Sequence, residues 1–329
     1  MRTAVAALLA CAIAELPASA QSLITEVTFS AGRSTEDVNA GSTQIRLFGP
    51  VAKSDWRVYL EGTWGDTSSA ASDAFGAAYP YDGRVRPMEL YLERTAHRGG
   101  AILGVRAGRY RLPFGISARS DHAYTGFTRA PLVRYGTNWA LSNTFLETGV
   151  EILAGSPAVQ VAASVGIPQD EGAYRRPRGL DTVVRAQVFS GPLIVGASHV
   201  RTQPSEVGKF VHGRMTFSGV DARWMAAGVQ LRGEWIFGRP FDGVWTRGGY
   251  LDGIVHVERM GPVTGVLRFE RLDYFAGEHS DFYRRVTIGA RIRTWRAFDV
   301  QLSLIRQPRG PEGSRPTAFD AGLTYTARF

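Results

Sequence analysis

Apolar and polar residues alternate along this chain with a period of two, while a helical period is nearly absent. In "RRVTIGARIRTW", 284–295, Val286, Ile288, Ala290 and Ile292 share one face, and Arg285, Thr287, Gly289, Arg291 and Arg293 share the other. "DWRVYLEGTW" sets Trp56, Val58, Leu60 and Trp64 against Asp55, Arg57, Tyr59, Glu61 and Thr63. "VQLRGEWIF" sets Val229, Leu231, Trp235 and Phe237 against Gln230, Arg232, Glu234 and Ile236, and "FDVQLSL" repeats the design. Successive side chains of a strand point to opposite faces, so each segment predicts a strand with one greasy and one wet face. The last nine residues, "AGLTYTARF", do the same. Leu323, Tyr325 and Phe329 fall on the apolar side; Asp320, Thr324 and Arg328 fall on the polar one.

The connections carry the second signal. Strands are expected near 22–32, 41–49, 55–64, 86–95, 100–110, 144–155, 158–167, 181–190, 193–203, 209–224, 228–238, 248–259, 263–274, 282–295, 298–307 and 316–329. Short links such as "GPVAKS", "AHRGG", "GSP", "SGP", "AAG" and "WRA" alternate with long polar ones. The long class includes "GRSTEDVNA", 65–85, 111–143, "QDEGAYRRPRG" and "QPRGPEGSRP". Alternating tight turns and long loops on an even number of strands are what a transmembrane β-barrel requires. A sheet in lipid must also close on itself, because each backbone polar group needs a partner there. The reading is an all-β, closed antiparallel barrel of about sixteen strands, a size that leaves an aqueous channel. Trp56, Trp64, Trp224, Trp235, Phe237, Tyr274, Trp295 and Phe298 fall near strand ends, where aromatic girdles belong.

The first twenty residues stand apart from this pattern. Arg2, the apolar "AVAALLACAIA" and the small-residue "ASA" at Ala18–Ala20 predict a cleavable signal peptide, with the barrel spanning 21–329. The rival, a lipoprotein signal ending at Cys11, would leave almost no apolar core. Cys11 is the only cysteine, so its loss with the signal excludes disulfides, thiolate chemistry and cysteine metal sites. No run reaches eighteen apolar residues, and the mean hydropathy is −0.12, which argues against a helical membrane protein.

The formal charge is +8, and Lys53 and Lys209 are the only lysines among 38 basic residues. Arginine holds a persistent charge and binds carboxylate or phosphate in a bidentate way. Here the arginines are spread through alternating strands, which argues against nucleic acid as a partner. Arg46, Arg57, Arg106, Arg185, Arg232, Arg268, Arg285, Arg291 and Arg293 take the polar phase, as do Glu61, Glu89, Glu93, Glu234, Glu258 and Glu270. Many of these are expected to pair across strands and fill a polar wall.

The longest connection, 111–143, carries Arg111, Arg119, Arg129 and Arg134 with Asp121, His122, Tyr124 and Tyr135. Its Phe114, Phe127, Leu132 and Trp139 argue for order, and a loop of this length is usually functional. Folded inward, it would narrow the lumen, and rings of arginine would favour anions. Asp121–His122 could serve as an acid/base pair, although neighbours on a loop more often stay solvated. The sequence has no His-Glu-x-x-His, Gly-x-Ser-x-Gly or Gly-x-x-x-x-Gly-Lys motif, and no cofactor is implied. A barrel hydrolase with a site assembled from distant strands, and a non-conducting surface adhesin, remain the alternatives.

"GRYRLPFG" at Gly108–Gly115 resembles the Gly-x-x-x-x-Pro-Phe-Gly segment of the phosphate-selective porin O and P family, and it too leads into an arginine-rich stretch. The resemblance implies a trimeric outer-membrane pore for small anionic or hydrophilic solutes, phosphate among them, with arginines lining the path. With it, Arg109 joins the candidate constriction and pore-lining set of Arg57, Arg106, Arg111, Arg119, Asp121, His122, Arg129, Arg134, Arg232, Arg285, Arg291 and Arg293. The family's lysine cluster has no counterpart in Lys53 and Lys209. The terminal Phe329 resembles the C-terminal signal by which bacterial barrels are recognised by their assembly machinery.

Overall fold

A computed structural model describes residues 23–51, 54–69, 75, 83–116, 126–134, 146–169, 175–176, 179–202, 206–207, 215–240, 243–256, 261–295, 297–310 and 315–329. The expected signal segment 1–20 lies outside them. The strands are β1 (Ile24–Ser34), β2 (Val38–Pro50), β3 (Trp56–Thr67), β4 (Val85–Arg98), β5 (Ala101–Arg111), β6 (Leu146–Gly155), β7 (Val159–Gln169), β8 (Arg175–Arg176), β9 (Asp181–Ser190), β10 (Leu193–Thr202), β11 (Glu206–Val207), β12 (Met215–Ala226), β13 (Val229–Arg239), β14 (Val244–His256), β15 (Val263–Ala276), β16 (His279–Trp295), β17 (Phe298–Arg309) and β18 (Thr317–Arg328).

Sixteen of these strands close one antiparallel barrel, each paired with its neighbours in sequence. The remaining two, β8 and β11, pair with each other across two of the longer connections. The ends of the chain make the closure. Glu26 on β1 stands opposite Arg328 on β18, and Ser34 stands opposite Asp320. The Phe329 N–H donates to the Thr25 carbonyl (2.9 Å), and the Thr25 N–H donates back to the carbonyl of Phe329 (3.2 Å). The alternating last strand thus pairs with the first and removes both edges that the open sheet would have had.

One phase of each strand is an apolar outer wall. Leu103, Ile152, Phe269, Ile288 and Leu304 are all at least half exposed, the pattern expected where lipid rather than protein covers them. The other phase is polar and buried: Glu26, Arg46, Glu61, Glu151, Arg185, Asp221, Arg232, Asp252, Arg285 and Asp320. Tyr274 differs from the girdle expected of it. It stands opposite Thr246 and Asp281 on the inner phase, with its ring 5.8 Å from Tyr283. Three expected strand starts move by three residues or more, from 41 to Val38, from 248 to Val244 and from 282 to His279, while the expected starts at 144 and 209 lie outside the described residues.

The inner wall is not polar throughout. Val183, Val200, Phe217, Ile236, Tyr250 and Leu272 form an apolar patch on the inner phase of β9 to β15, packed with Leu112, Phe114, Leu132 and Val133 from the 111–143 connection. Ile236 already broke the polar phase of its strand in the sequence; here it has an apolar partner to meet. Burying each such side chain contributes about 1.5–3 kcal/mol.

Candidate functional site: the charged lumen

The inner wall is laced by ion pairs in rows across the strands. Arg328 donates to Glu26 (2.5 Å), whose other oxygen accepts from Arg46 (2.9 Å). Arg46 also reaches Glu61 (3.2 Å), and Arg111 bridges Glu61 (2.7 Å) and Glu89 (2.6 Å). Tyr59 donates its hydroxyl to the same Glu61 carboxylate at 2.9 Å. On the opposite wall Asp252 is shared by Arg232 (2.9 Å) and Arg268 (2.6 Å). Arg185 grips Asp221 through both terminal nitrogens, at 2.7 and 2.9 Å. Cross-strand registry sets these pairs: opposed inner-phase side chains lie within reach of each other, and a guanidinium fork matches a carboxylate.

Two described parts of the 111–143 connection, 111–116 and 126–134, lie against this inner face. Arg134, in a single 3-10 turn at Leu132–Arg134, binds Glu234 of β13 with both oxygens (2.7 and 3.0 Å). Its Nη2 also donates to the Phe114 carbonyl at 2.8 Å, and the guanidinium stands 5.0 Å from the Phe114 ring. Arg129 binds Asp320 of β18 (2.8 and 3.0 Å) and Glu36 (2.9 Å). The backbone joins in as well. Leu132 N–H donates to Glu270 (2.8 Å), Arg268 donates to the Arg129 carbonyl (2.9 Å), and Arg285 donates to the Ala130 carbonyl while also pairing with Glu270. From the 67–85 connection, Phe75 N–H reaches the Thr128 carbonyl at 3.1 Å.

This arrangement changes the roles expected of several arginines. Arg129 and Arg134 are buried rather than lining a wet path: their carboxylate partners stand on the wall, and the pairs anchor the segment. Arg232 and Arg285 are likewise buried in pairs. Arg109 takes the outer phase, opposite Leu90 and Thr148 and in step with Leu103 and Ala107, because Arg106, Gly108 and Tyr110 occupy the inner one. Arg119, Asp121 and His122 lie outside the described residues, as does Glu258. Arg57, Arg106, Arg111, Arg291 and Arg293 take their places on the inner side. The motif reading missed Glu26, Glu36, Asp252 and Phe75. The first three hold arginines, and for Asp252 the signal was its place in the polar phase of β14.

Solvent does not see the two signs of charge equally. Arg328 is 65% exposed while its partner Glu26 is 3% exposed; Arg293 is 60% exposed while Asp299 beneath it is 6% exposed. Arg291 and Arg111 are also the more open members of their pairs. The carboxylate is short and lies against the wall, whereas the arginine stem carries its charge out over it. The order is reversed in Arg106–Glu93, in the buried Arg129–Glu36 and in the exposed Arg94–Asp55 and Arg315–Asp37 pairs, where the carboxylate is the more open.

Gly115 closes the "LPFG" stretch at φ 59°, a left-handed conformation that side chains rarely adopt. A Cβ there would overlap both the Glu234 carboxylate and the Arg134 guanidinium. Gly115→Ala is therefore expected to weaken the anchor at a cost of at least about 1–2 kcal/mol for the backbone alone. A lower melting temperature of the refolded barrel checks this.

No protein-family model matches the sequence, and no curated protein matches it. Solved structures do match in shape. The anion-selective porin from Comamonas acidovorans superposes with a TM-score of 0.62 at 12% identity, covering 93% of this chain and 99% of that one. Salmonella typhi OmpF, solved with daunomycin, gives 0.64 at 11% identity over 93% and 97%. The trimer form of OmpT, an outer membrane protein of Vibrio cholerae, gives 0.59 at 12% identity over 93% and 98%. The fold is that of bacterial outer-membrane porins.

Proposed function

We propose that this chain is an outer-membrane porin, a passive channel for small hydrophilic solutes with a preference for anions. The channel itself is supported by a barrel of the size that leaves an aqueous path, with a charged inner face and an apolar outer one. One observation carries the anion preference: at the Arg328–Glu26 and Arg293–Asp299 pairs the guanidinium is open to solvent and the carboxylate is not. The accessible potential is positive although the pairs are nearly neutral. Anions are concentrated at the wall, and the underlying carboxylates keep their binding weak enough for release.

The anchored 111–143 segment serves as the constriction in this reading, held by Arg129 and Arg134 rather than displaying them. A homotrimer, export by the 1–20 signal and assembly through Phe329 complete the proposal; phosphate is one candidate anion. The test is a planar bilayer recording of the refolded protein under a salt gradient. Discrete conductance steps with an anion-selective reversal potential are expected. A cation-selective potential would overturn the arginine argument, and a folded barrel without conductance would overturn the channel.

A further inference from the structure

The outer face carries a second arginine cluster that the lumen does not use. Arg271 on β15 stands directly opposite Arg284 on β16, and Arg284 directly opposite Arg309 on β17. All three side chains project from the outer face. Arg271 alternates with Phe269 and Phe275, while the Arg284 and Arg309 guanidiniums lie 5.1 and 4.4 Å from the centroid of Phe282. Like charges in opposed cross-strand positions destabilise a sheet, so such a row calls for an anion to bridge it.

The wall itself does not supply that anion. Among the described outer-phase residues of β13 to β17, Asp273 is the one carboxylate. It is already held by Arg271 (2.8 Å) and by Arg247 of β14 (3.2 Å), which remain 48% and 54% exposed. In the next row toward the short-turn end, Leu251, Phe269 and Val286 begin the apolar band on β14 to β16, with Arg306 opposite Val286 on β17. The row therefore sits at the rim of the lipid-facing surface, on the side of the longer connections, which in such barrels is the cell exterior.

We infer that this face binds the phosphorylated headgroup of an outer-leaflet glycolipid, with Arg271, Arg284 and Arg309 gripping the phosphates and the apolar band packing the acyl chains. Three guanidinium forks about 5 Å apart at their Cβ atoms suit a headgroup bearing more than one phosphate. The inference rests on the outer-membrane part of the proposed function and not on ion selectivity.

The experiment places the refolded full chain in phosphatidylcholine nanodiscs doped with diphosphorylated lipid A or with the same lipid stripped of its phosphates. Native mass spectrometry then counts glycolipid retained per barrel. The wild-type chain is expected to retain the diphosphorylated form at least tenfold better. Arg271→Gln/Arg284→Gln/Arg309→Gln is expected to lose that preference while its single-channel conductance stays unchanged. Equal retention of the two lipids by the wild-type chain, which needs no variant, would overturn the inference. So would full retention by the triple variant, or efficient disulfide cross-linking of two Arg284→Cys copies, which would show the face covered by a second copy. A barrel that keeps the lipid preference yet fails to conduct would sink the channel reading alone.

Discussion

Arg134→Met is expected to lower the unfolding free energy of the barrel by about 3–5 kcal/mol and to raise its single-channel conductance. The first effect follows from what the substitution leaves behind. Glu234 and Arg134 are both fully buried, and the pair joins the 3-10 turn to the inner face of β13. With the guanidinium gone, the carboxylate is a buried charge without its counter-ion, which costs far more than an exposed pair of the same length would. The Phe114 carbonyl also loses its donor. The second effect follows from the position of the anchor. Leu112, Phe114, Leu132 and Val133 pack on the inner apolar patch beside it, so loosening Arg134 is expected to free the segment proposed above as the constriction.

Arg134→Met/Glu234→Met separates charge from shape. Replacing a buried ion pair by apolar groups of similar volume is often neutral or stabilising, so the double variant should recover most of the lost stability. Urea unfolding in lipid vesicles measures both. If the single variant proves as stable as the parent, the pair is not the anchor described above.

The architecture was legible in the sequence because lipid and water impose opposite demands on a two-residue period. Val286, Ile288 and Ile292 could face only lipid, and Arg285 and Arg291 only the inside, so the phase of β16 was fixed before its neighbours were known. Strand starts shift where polar, turn-like residues adjoin the strand, as at Val38 and His279. The closing role of β18 was visible for the same reason as its phase. What the pattern could not tell was which arginines stay open to water. Arg129 meets Asp320 across 191 residues and Arg134 meets Glu234 across 100, and no local spacing records those encounters. The partial clue was Ile236, an apolar residue on a polar face that called for an apolar partner inside the barrel. Arg109 misled because its motif drew attention ahead of its phase: two positions from Ala107, it could not share a face with Arg106.

Under the proposed function, anion selectivity rests on a different set of arginines, and their removal is expected to have the largest effect on conduction. Arg57, Arg293 and Arg328 lie on the inner phase at strand ends on the short-turn side, and all three are exposed. In water a unit charge about 8 Å from a passing ion contributes roughly 0.5 kcal/mol. Three such charges therefore enrich an anion about tenfold at low salt, and by less once the Debye length shrinks below that distance. The variant Arg57→Gln/Arg293→Gln/Arg328→Gln should accordingly lose most of its anion preference in dilute salt. At 1 M salt, where charges are screened beyond about 3 Å, parent and variant should converge. The fold should survive, because Glu26 keeps Arg46 and Asp299 keeps Arg291 when the exposed members of their clusters are removed. Zero-current potentials across a planar bilayer at low and high salt read this directly. An unchanged potential at low salt would show that the exposed guanidiniums of the described wall do not set selectivity. The filter would then have to be sought in 117–125, where Arg119, Asp121 and His122 lie.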